Sequence, residues 1–328
     1  MIAEILVRIF APHSRDHVVP GGLFTTDTTL GWKLMPDRSL NHRTRYFDVR
    51  YDINDMGFRD PPRPIARQPQ VGRVLLFGDS QTFGWGVTVA QRLSHLPDGS
   101  SPPIEIWNMS VPGYGLDQQV ISFEESGESL RASGAILFVS GPTLERTRSS
   151  HIYRKPKPRF VSNHDGSLRL VPVGSSSSAW TGIVYRAISP FYLPYFIERG
   201  WRAYSARDRE PIGAPSDASP KAGRRTVGEI PLALLLRART ISAAKGQRLA
   251  VLADLPTDAT AQLRQFCEKN GIEFLAVPFP DGTPSVVFGP EDHHWRPESH
   301  RVLAGHLATL VRSWGPAGVA LAGEVNFR

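Results

Sequence analysis

Short apolar segments alternate along this chain with stretches of helical periodicity. Five of the apolar segments have the length and flanking turn residues of buried strands, at residues 74–77, 104–108, 135–139, 249–253 and 273–277. Helical patterns cover residues 116–130, 230–244 and 258–269, and another follows Pro297 and continues as far as Trp314. Strands that alternate with helices predict a three-layer α/β/α domain built on a flavodoxin-like parallel sheet.

Two regions interrupt this alternation. Residues 1–70 are loop-rich, with a hairpin predicted around residues 47–53, and we expect them to form an N-terminal accessory segment. The α/β domain is expected to cover residues 71–315, with a large insertion at 147–228 after the third strand and a tail at 316–328. The insertion is rich in Pro, Ser, Gly and Arg, which is typical of a surface segment that covers or lines a site.

Composition narrows the classes of partner. The 328 residues carry a formal net charge of +7, which permits binding to a polyanion. The sequence contains no zinc finger, helix-turn-helix or RNP-like motif, so we expect no nucleic-acid partner. The single cysteine, Cys267, excludes an internal disulfide framework and is expected to be a small buried apolar side chain.

The first ten residues are apolar but include Glu4 and Arg8. They fall short of the ~20 residues that a membrane span needs, and they lack the pattern of a cleavable signal peptide. We therefore expect no integral membrane span in this chain. Peripheral membrane contact and a truncated N-terminal anchor both stay open, and the sequence does not separate the cytoplasm from the cell envelope.

The candidate chemistry begins where the first predicted strand ends. Residues 74–87 read VLLFGDSQTFGWGV, so Ser80 follows a buried strand at the edge where open α/β sheets expose reactive groups. A serine hydroxyl needs a base to become a nucleophile, and Asp292, His293 and His294 lie together just before the last helix. The alternative is a turn serine in a phosphate-binding loop, but neither GxGxxG nor the Walker pattern is present.

Four histidines near the end of the chain raise the question of a metal site. They are His293, His294, His300 and His306. His300 and His306 are six positions apart on a predicted helix and face differently, and no carboxylate motif completes a ligand set. We expect no metal and no cofactor.

Together these segments resemble the GDSL/SGNH hydrolase family. In that family the serine of the GDS motif is the nucleophile, and a late Asp-x-His motif supplies the acid and the base. The resemblance therefore implies Ser80 as nucleophile, His294 rather than His293 as base, and Asp292 as the residue that orients it. It covers about residues 25–160 and 230–315, including residues 51–59 (YDINDMGFR), which resemble a leader of bacterial members.

The resemblance also implies an oxyanion hole. Residues 108–115 (NMSVPGYG) are similar to the family's second block, which assigns a backbone donor to Gly113 beside that of Ser80. The third block is Gly-x-Asn-Asp in the family, whereas residues 140–146 here read SGPTLER. Thr143 stands at the position of the asparagine, and we expect its hydroxyl to be the third donor. Losing one such donor typically lowers the rate about 10²–10³-fold.

The resemblance implies a serine esterase, and we expect it to remove a short acyl group, acetyl, from a carbohydrate or polysaccharide. An O-acyltransferase with the same triad and a non-catalytic glycan-binding or scaffold protein are the alternatives. A basic run follows the third block and comprises Arg146, Arg148, Arg154, Lys155, Lys157 and Arg159. It is either a solvated loop or, through Arg146 and Arg148, a binding site for an anionic substrate such as an acidic acylated glycan.

Overall fold

The computed structural model of the chain describes residues 2–11, 19–66, 71–96, 103–126, 130–153, 155–163, 165–174, 191, 193–194, 196–197, 226–279 and 286–314. Most of the expected insertion beyond residue 174, and the expected tail at 316–328, lie outside the described residues. The domain boundaries drawn from the sequence therefore stay predictions.

Strands and helices are numbered in chain order. The strands are β1 (Phe24–Asp27), β2 (Gly31–Leu34), β3 (Arg38–Arg43), β4 (Asp48–Ile53), β5 (Gly72–Phe77), β6 (Ile104–Asn108), β7 (Gly134–Ser140), β8 (His151–Ile152), β9 (Lys155–Pro156), β10 (Arg159–Ser162), β11 (Leu168–Val171), β12 (Arg248–Asp254), β13 (Glu273–Ala276), β14 (Val287–Gly289) and β15 (Asp292–Trp295). The helices are α1 (Ile2–Phe10), α2 (Ser80–Phe83), α3 (Leu116–Glu125), α4 (Gly141–Arg146), α5 (Glu229–Ala244), α6 (Thr257–Lys269) and α7 (Pro297–Ser313), with a 3₁₀ turn at Val89–Gln91.

A five-stranded parallel sheet in the order β13-β12-β7-β5-β6 forms the centre of the fold. Counting only these strands along the chain, the order is 2-1-3-4-5, which is the flavodoxin-like arrangement. The predicted α/β class and parallel sheet are confirmed. In such a sheet the carboxyl ends of the strands form the ligand-binding edge.

Both faces of the sheet are covered, as a three-layer domain requires. In β5, Leu75 and Phe77 belong to one buried cluster, which includes residues of α3, α5 and α6. Val74 and Leu76 point to the opposite face and belong to a second cluster, which includes Leu303 of α7. This alternation follows from the two-residue period of a strand, and it explains why β5 is apolar at successive positions.

Two element ends differ from the prediction by more than one residue. β5 begins at Gly72 rather than Val74, because Arg73 is buried in the strand with its guanidinium 4.0 Å from the Trp107 ring centroid and 2.6 Å from Glu105. α3 ends at Glu125, short of the predicted end at residue 130.

The N-terminal region supplies antiparallel hairpins that pack on the domain. β1 pairs with β2, and β3 pairs with β4 in the hairpin predicted around residues 47–53. Trp32 and Tyr51 of these hairpins are buried in the same apolar cluster as β5. Among the described residues, no helix combines the length and apolar character needed to cross a bilayer.

Candidate active site

The turn after β5 presents Ser80 at the first position of α2. Asp79 caps this helix, because its carboxylate accepts a hydrogen bond of 2.9 Å from the backbone N–H of Gln81. Gly78 has no room for a side chain, since a Cβ there would lie 2.0 Å from Thr82 Oγ1 and 2.9 Å from Phe138 Cβ. The tight turn therefore holds Ser80 at the carboxyl edge of the sheet.

β15 brings the two other residues of the expected triad to Ser80. The Nε2 atom of His294 lies 2.8 Å from Ser80 Oγ, and its Nδ1 atom lies 2.7 Å from Asp292 Oδ1. The same carboxylate oxygen also accepts the backbone N–H of His294 at 3.1 Å. A carboxylate at Nδ1 selects the tautomer in which Nε2 is free to accept the proton of the serine hydroxyl.

Asp292 is held in its ionised form. Burial opposes ionisation, but the hydrogen bonds and the electrostatic attraction of His294, with a smaller contribution from the nearby His42, leave the pKa of Asp292 below its ordinary value. An ionised carboxylate at this position stabilises the imidazolium that forms when His294 accepts a proton.

Gln81 fixes the strand that carries the base. Its side-chain N–H donates to the backbone carbonyl of His293 at 2.9 Å, and its carbonyl oxygen accepts the backbone N–H of Trp295 at 3.0 Å. The carboxamide thus holds the residues on both sides of His294. Sequence reasoning missed this role, although Gln81 stands next to the serine in the motif.

Aromatic rings from two other segments support the imidazole. The Trp85 ring stacks on His294 with centroids 5.2 Å apart and planes inclined by 24°. His42 of β3 packs edge-on against Trp85, with centroids 4.6 Å apart. The N-terminal hairpin therefore reaches the site through Trp85, a contact that no sequence pattern indicated.

Residues 51–59 hold the loop that follows the nucleophile, through the side chains of Tyr51 and Arg59. The Arg59 guanidinium donates to the carbonyls of Gly84 at 2.6 Å and Val87 at 2.5 Å, and lies 4.2 Å from the Tyr51 ring centroid. The Tyr51 hydroxyl in turn accepts the backbone N–H of Gly86 at 2.9 Å. Burial and the nearby Arg92 lower the pKa of Arg59 to about 9.

Gly113 lies where the family resemblance places an oxyanion donor. The backbone N–H of Val111 donates to the Gly78 carbonyl at 3.1 Å, which places this loop beside the nucleophile turn. Gly113 has a φ of +88°, and a Cβ there would lie 3.2 Å from both Trp32 Cζ2 and Tyr153 Cε2. No hydrogen bond within the described part of the chain uses the backbone N–H of Ser80 or Gly113. Both donors are thus available to a ligand.

Thr143 does not serve this site. Its side chain is fully buried, and its hydroxyl donates to the Ser140 carbonyl at 2.9 Å while accepting the Ser140 N–H at 2.8 Å. A hydroxyl has one proton, and here that proton is used in capping α4. The expectation of a third oxyanion donor at Thr143 is therefore corrected: its hydroxyl belongs to the capping box of α4, whose N-cap is Ser140.

The two arginines expected to bind an anionic substrate have different surroundings. Arg146 forms an ion pair of 2.7 Å with Asp79, and its side chain is 14% exposed. Arg148 is exposed. Arg154 of the same basic run lies outside the described residues. Arg146 is thus committed to the nucleophile turn, and Arg148 is the one that faces solvent.

The histidines of the last helix do not join the site. His300 is fully buried, and its Nδ1 accepts the backbone N–H of Leu93 at 3.3 Å, whereas His306 is exposed. In the part of the chain that the structure describes, no three His, Cys, Asp or Glu residues form a group that could hold a metal ion.

No family model and no curated protein matches the sequence. Among solved structures, the chain is similar to the crystal structure of TesA at 10% identity and a TM-score of 0.43, over 74% of this chain and 98% of that one. It is similar to the psychrotrophic esterase EstA from Pseudoalteromonas sp., inhibited by monoethylphosphonate, at 9% identity and a TM-score of 0.38, over 74% and 98% of the two chains. A member of the lipolytic protein G-D-S-L family from Veillonella parvula DSM 2008 matches at 13% identity and a TM-score of 0.38, over 73% and 97%. The solved structures to which this chain is similar thus include lipolytic proteins of the G-D-S-L family.

Proposed function

We propose that this chain is a GDSL/SGNH-type serine hydrolase that cleaves short acyl esters. The observation that carries the proposal is the continuous hydrogen-bonded chain from Asp292 through His294 to Ser80, with distances of 2.7 and 2.8 Å. Nucleophile, base and orienting carboxylate in this geometry form the arrangement used for acyl transfer on unrelated folds.

In the proposed reaction, Ser80 Oγ bonds to the ester carbonyl carbon while His294 Nε2 takes the hydroxyl proton. The backbone N–H groups of Ser80 and Gly113 donate to the oxyanion. As the tetrahedral intermediate collapses, the ester C–O bond breaks and the departing alcohol takes the proton from His294. Water then attacks the acyl-serine with His294 as base, which releases the carboxylic acid and restores the serine.

The rings beside Gly113 favour a short acyl group on a carbohydrate. A Cβ on the glycine would lie 3.2 Å from an atom of each of the Trp32 and Tyr153 rings, and we propose that these rings limit the length of the acyl chain. The Tyr153 ring is 72% exposed and offers an apolar face of the kind that stacks on a sugar ring. We propose acetyl as the acyl group and an acetylated glycan as the substrate.

Turnover of p-nitrophenyl acetate by the wild type and by Ser80→Ala, His294→Gln and Asp292→Asn tests the triad. We expect each substitution to lower kcat by about 10³-fold or more. His306→Gln is the matched control, because His306 is an exposed histidine on α7, and it should keep wild-type activity.

A serine-reactive phosphonate followed by mass spectrometry gives a second measurement. Labelling of Ser80 in the wild type, and its loss in His294→Gln, would support the nucleophile. A wild type that neither turns over the ester nor takes the label would overturn the proposal. Incubation with an acetyl donor and candidate glycans separates transfer to a sugar from hydrolysis by the product formed.

A further inference from the structure

The oxyanion side of the site has two backbone donors but no side-chain donor at the expected position. Ser80 and Gly113 contribute their N–H groups, whereas the Thr143 hydroxyl donates to the Ser140 carbonyl inside the α4 cap. A negative charge that develops on the carbonyl oxygen is stabilised most effectively by fixed donors and positive charge in a site sheltered from water. A cationic side chain near these two donors could stabilise that charge.

Arg146 is the cationic side chain that joins the two halves of this region. One guanidinium N–H donates to Asp79 at 2.7 Å, and Asp79 immediately precedes the nucleophile. The Tyr153 hydroxyl also lies beside the guanidinium, and the Tyr153 ring is the one in contact with Gly113. Arg146 therefore lies between the nucleophile turn and the ring that covers the glycine donor.

The surroundings of Arg146 keep the group charged and fixed in position. Its side chain is 14% exposed and that of Asp79 is 2% exposed. Burial opposes the charge, but Tyr153 and Asp79 outweigh it and raise the pKa of Arg146 above its ordinary value. A guanidinium has five N–H donors, and its partners here are Asp79 and the Tyr153 hydroxyl, so donors remain for another acceptor.

We propose that Arg146 stabilises the oxyanion of the acyl-transfer reaction, in place of the side-chain amide that its third sequence block lacks. This inference rests on the proposed esterase function. Arg146 forms no covalent bond and transfers no proton; it opposes the negative charge on the carbonyl oxygen while Ser80 attacks. The residue thus acts on the reacting carbonyl rather than on a remote anionic group of the substrate.

Kinetics of p-nitrophenyl acetate hydrolysis by Arg146→Gln, Arg146→Lys and Asp79→Asn test the inference. We expect Arg146→Gln to lower kcat about 10²–10³-fold with little change in KM, the loss typical of one oxyanion donor. Arg146→Lys keeps the charge and should recover part of the rate. Arg237→Gln is the control, since Arg237 is an exposed arginine of α5 that pairs with Glu124 of α3.

Asp79→Asn separates a direct role from a purely structural one. Asparagine still caps α2 but lacks the charge that pairs with Arg146. If Arg146 only positioned the nucleophile turn through the ion pair, Asp79→Asn and Arg146→Gln would lower kcat equally. We expect Arg146→Gln to lose at least tenfold more activity, and millimolar guanidinium to restore part of the activity of Arg146→Ala but not of Ser80→Ala.

The outcomes separate failure of this inference from failure of the proposed function. A wild type without ester turnover or phosphonate labelling would overturn both. An active wild type with Arg146→Gln equally active, or with Asp79→Asn as impaired as Arg146→Gln, would overturn the role of Arg146 alone. Thermal unfolding of each variant identifies any that fail to fold, and for such a variant the Arg146→Lys kinetics and the guanidinium titration decide.

Discussion

Gln81 determines where His294 lies without touching its ring. The carboxamide donates to the His293 carbonyl at 2.9 Å and accepts the Trp295 N–H at 3.0 Å. Because Gln81 directly follows Ser80, the residue that fixes the base belongs to the same turn as the nucleophile. The 2.8 Å contact between His294 and Ser80 therefore depends on the Gln81 side chain and on the main chain of β15.

We predict that Gln81→Leu lowers kcat for p-nitrophenyl acetate about 10²-fold. Leucine has a similar size but removes both hydrogen bonds to β15, and a displacement of about 1 Å in a catalytic group costs a loss of this order. Gln91→Leu is the control, because Gln91 is an exposed glutamine whose side chain bonds Thr88 and does not contact β15 in any hydrogen bond of the described residues. Equal activity of the two variants would show that β15 holds His294 without Gln81.

Gly113→Ala should lower kcat about 10²-fold or more. Its φ of +88° and the two rings 3.2 Å from a Cβ require the backbone to shift, which moves the N–H donor. Gly166→Ala is a matched control: its φ is +79°, and nothing lies within 4 Å of its Cβ. Both variants carry similar backbone strain, but only Gly113→Ala also meets the two rings, so urea unfolding should show the larger loss of stability in Gly113→Ala. Loss of activity in both would contradict a specific role for Gly113.

The sequence was informative where a pattern is local, and less so where a contact joins distant segments. The strands of the central sheet were predictable because a strand buried on both faces is apolar at successive positions, as in β5. Its start at Gly72 was not, because the buried guanidinium of Arg73 needs Glu105 and Trp107, which lie on another strand. The hairpin of β3 and β4 followed from local signals, but its contact with Trp85 did not.

At the candidate site too, local motifs were predictable from the sequence and contacts between distant segments were not. Ser80, Asp292 and His294 stood in recognisable motifs, and the structure brings the three side chains together. Gln81 was missed because its partners are 212 and 214 positions away. Thr143 was misassigned although a local signal existed, since Ser140 three residues earlier is a typical N-cap residue.

Thr143→Val should lower stability and leave catalysis almost unchanged. Valine removes both hydrogen bonds with Ser140, so we expect a loss of about 1–2 kcal/mol in the free energy of unfolding. Because the hydroxyl already donates inside the helix cap, kcat should change less than about threefold. Thr143→Ser, which keeps the hydroxyl, should recover most of the stability. A 10²-fold loss of kcat in the valine variant would restore Thr143 as an oxyanion donor.

Removing only one partner of the ion pair between Lys157 and Asp117 should strongly lower the free energy of unfolding. Both side chains are fully buried, and Lys157 also donates to the Pro158 carbonyl at 2.8 Å. Burial raises the pKa of Asp117 to about 6 despite the neighbouring ammonium. Lys157→Met leaves this carboxyl group unpaired and should lower the free energy of unfolding by about 3–5 kcal/mol.

A second substitution tests that explanation by urea unfolding. Lys157→Met with Asp117→Asn removes the unpaired charge, so the double variant should be more stable than Lys157→Met alone. The exposed pair of Arg248 and Glu273, 3.0 Å apart, is the control, and Arg248→Gln should cost less than about 1 kcal/mol. A Lys157→Met variant that loses no more than Arg248→Gln would contradict the prediction.

His300 should make the folded protein less stable in acid. Burial, with the nearby charges of Arg92, Arg59 and His294, lowers the pKa of His300 to about 3. In the unfolded chain a histidine takes up its proton near pH 6.5, whereas the folded protein keeps this ring neutral until pH falls to about 3. The unfolded state therefore binds the extra proton between these values, and the free energy of unfolding falls as pH decreases, by up to about 1.4 kcal/mol per pH unit.

His300→Asn keeps an acceptor for the Leu93 N–H and removes the titrating ring. We expect the variant to be less stable than the wild type at pH 7.5 and the difference to shrink as the pH is lowered to 5, as measured by urea unfolding. His306→Asn changes an exposed histidine and should leave the pH dependence of stability unchanged. Parallel stability curves for the wild type and His300→Asn would show that His300 takes up its proton equally in both states, so that the acid sensitivity would have to come from other groups.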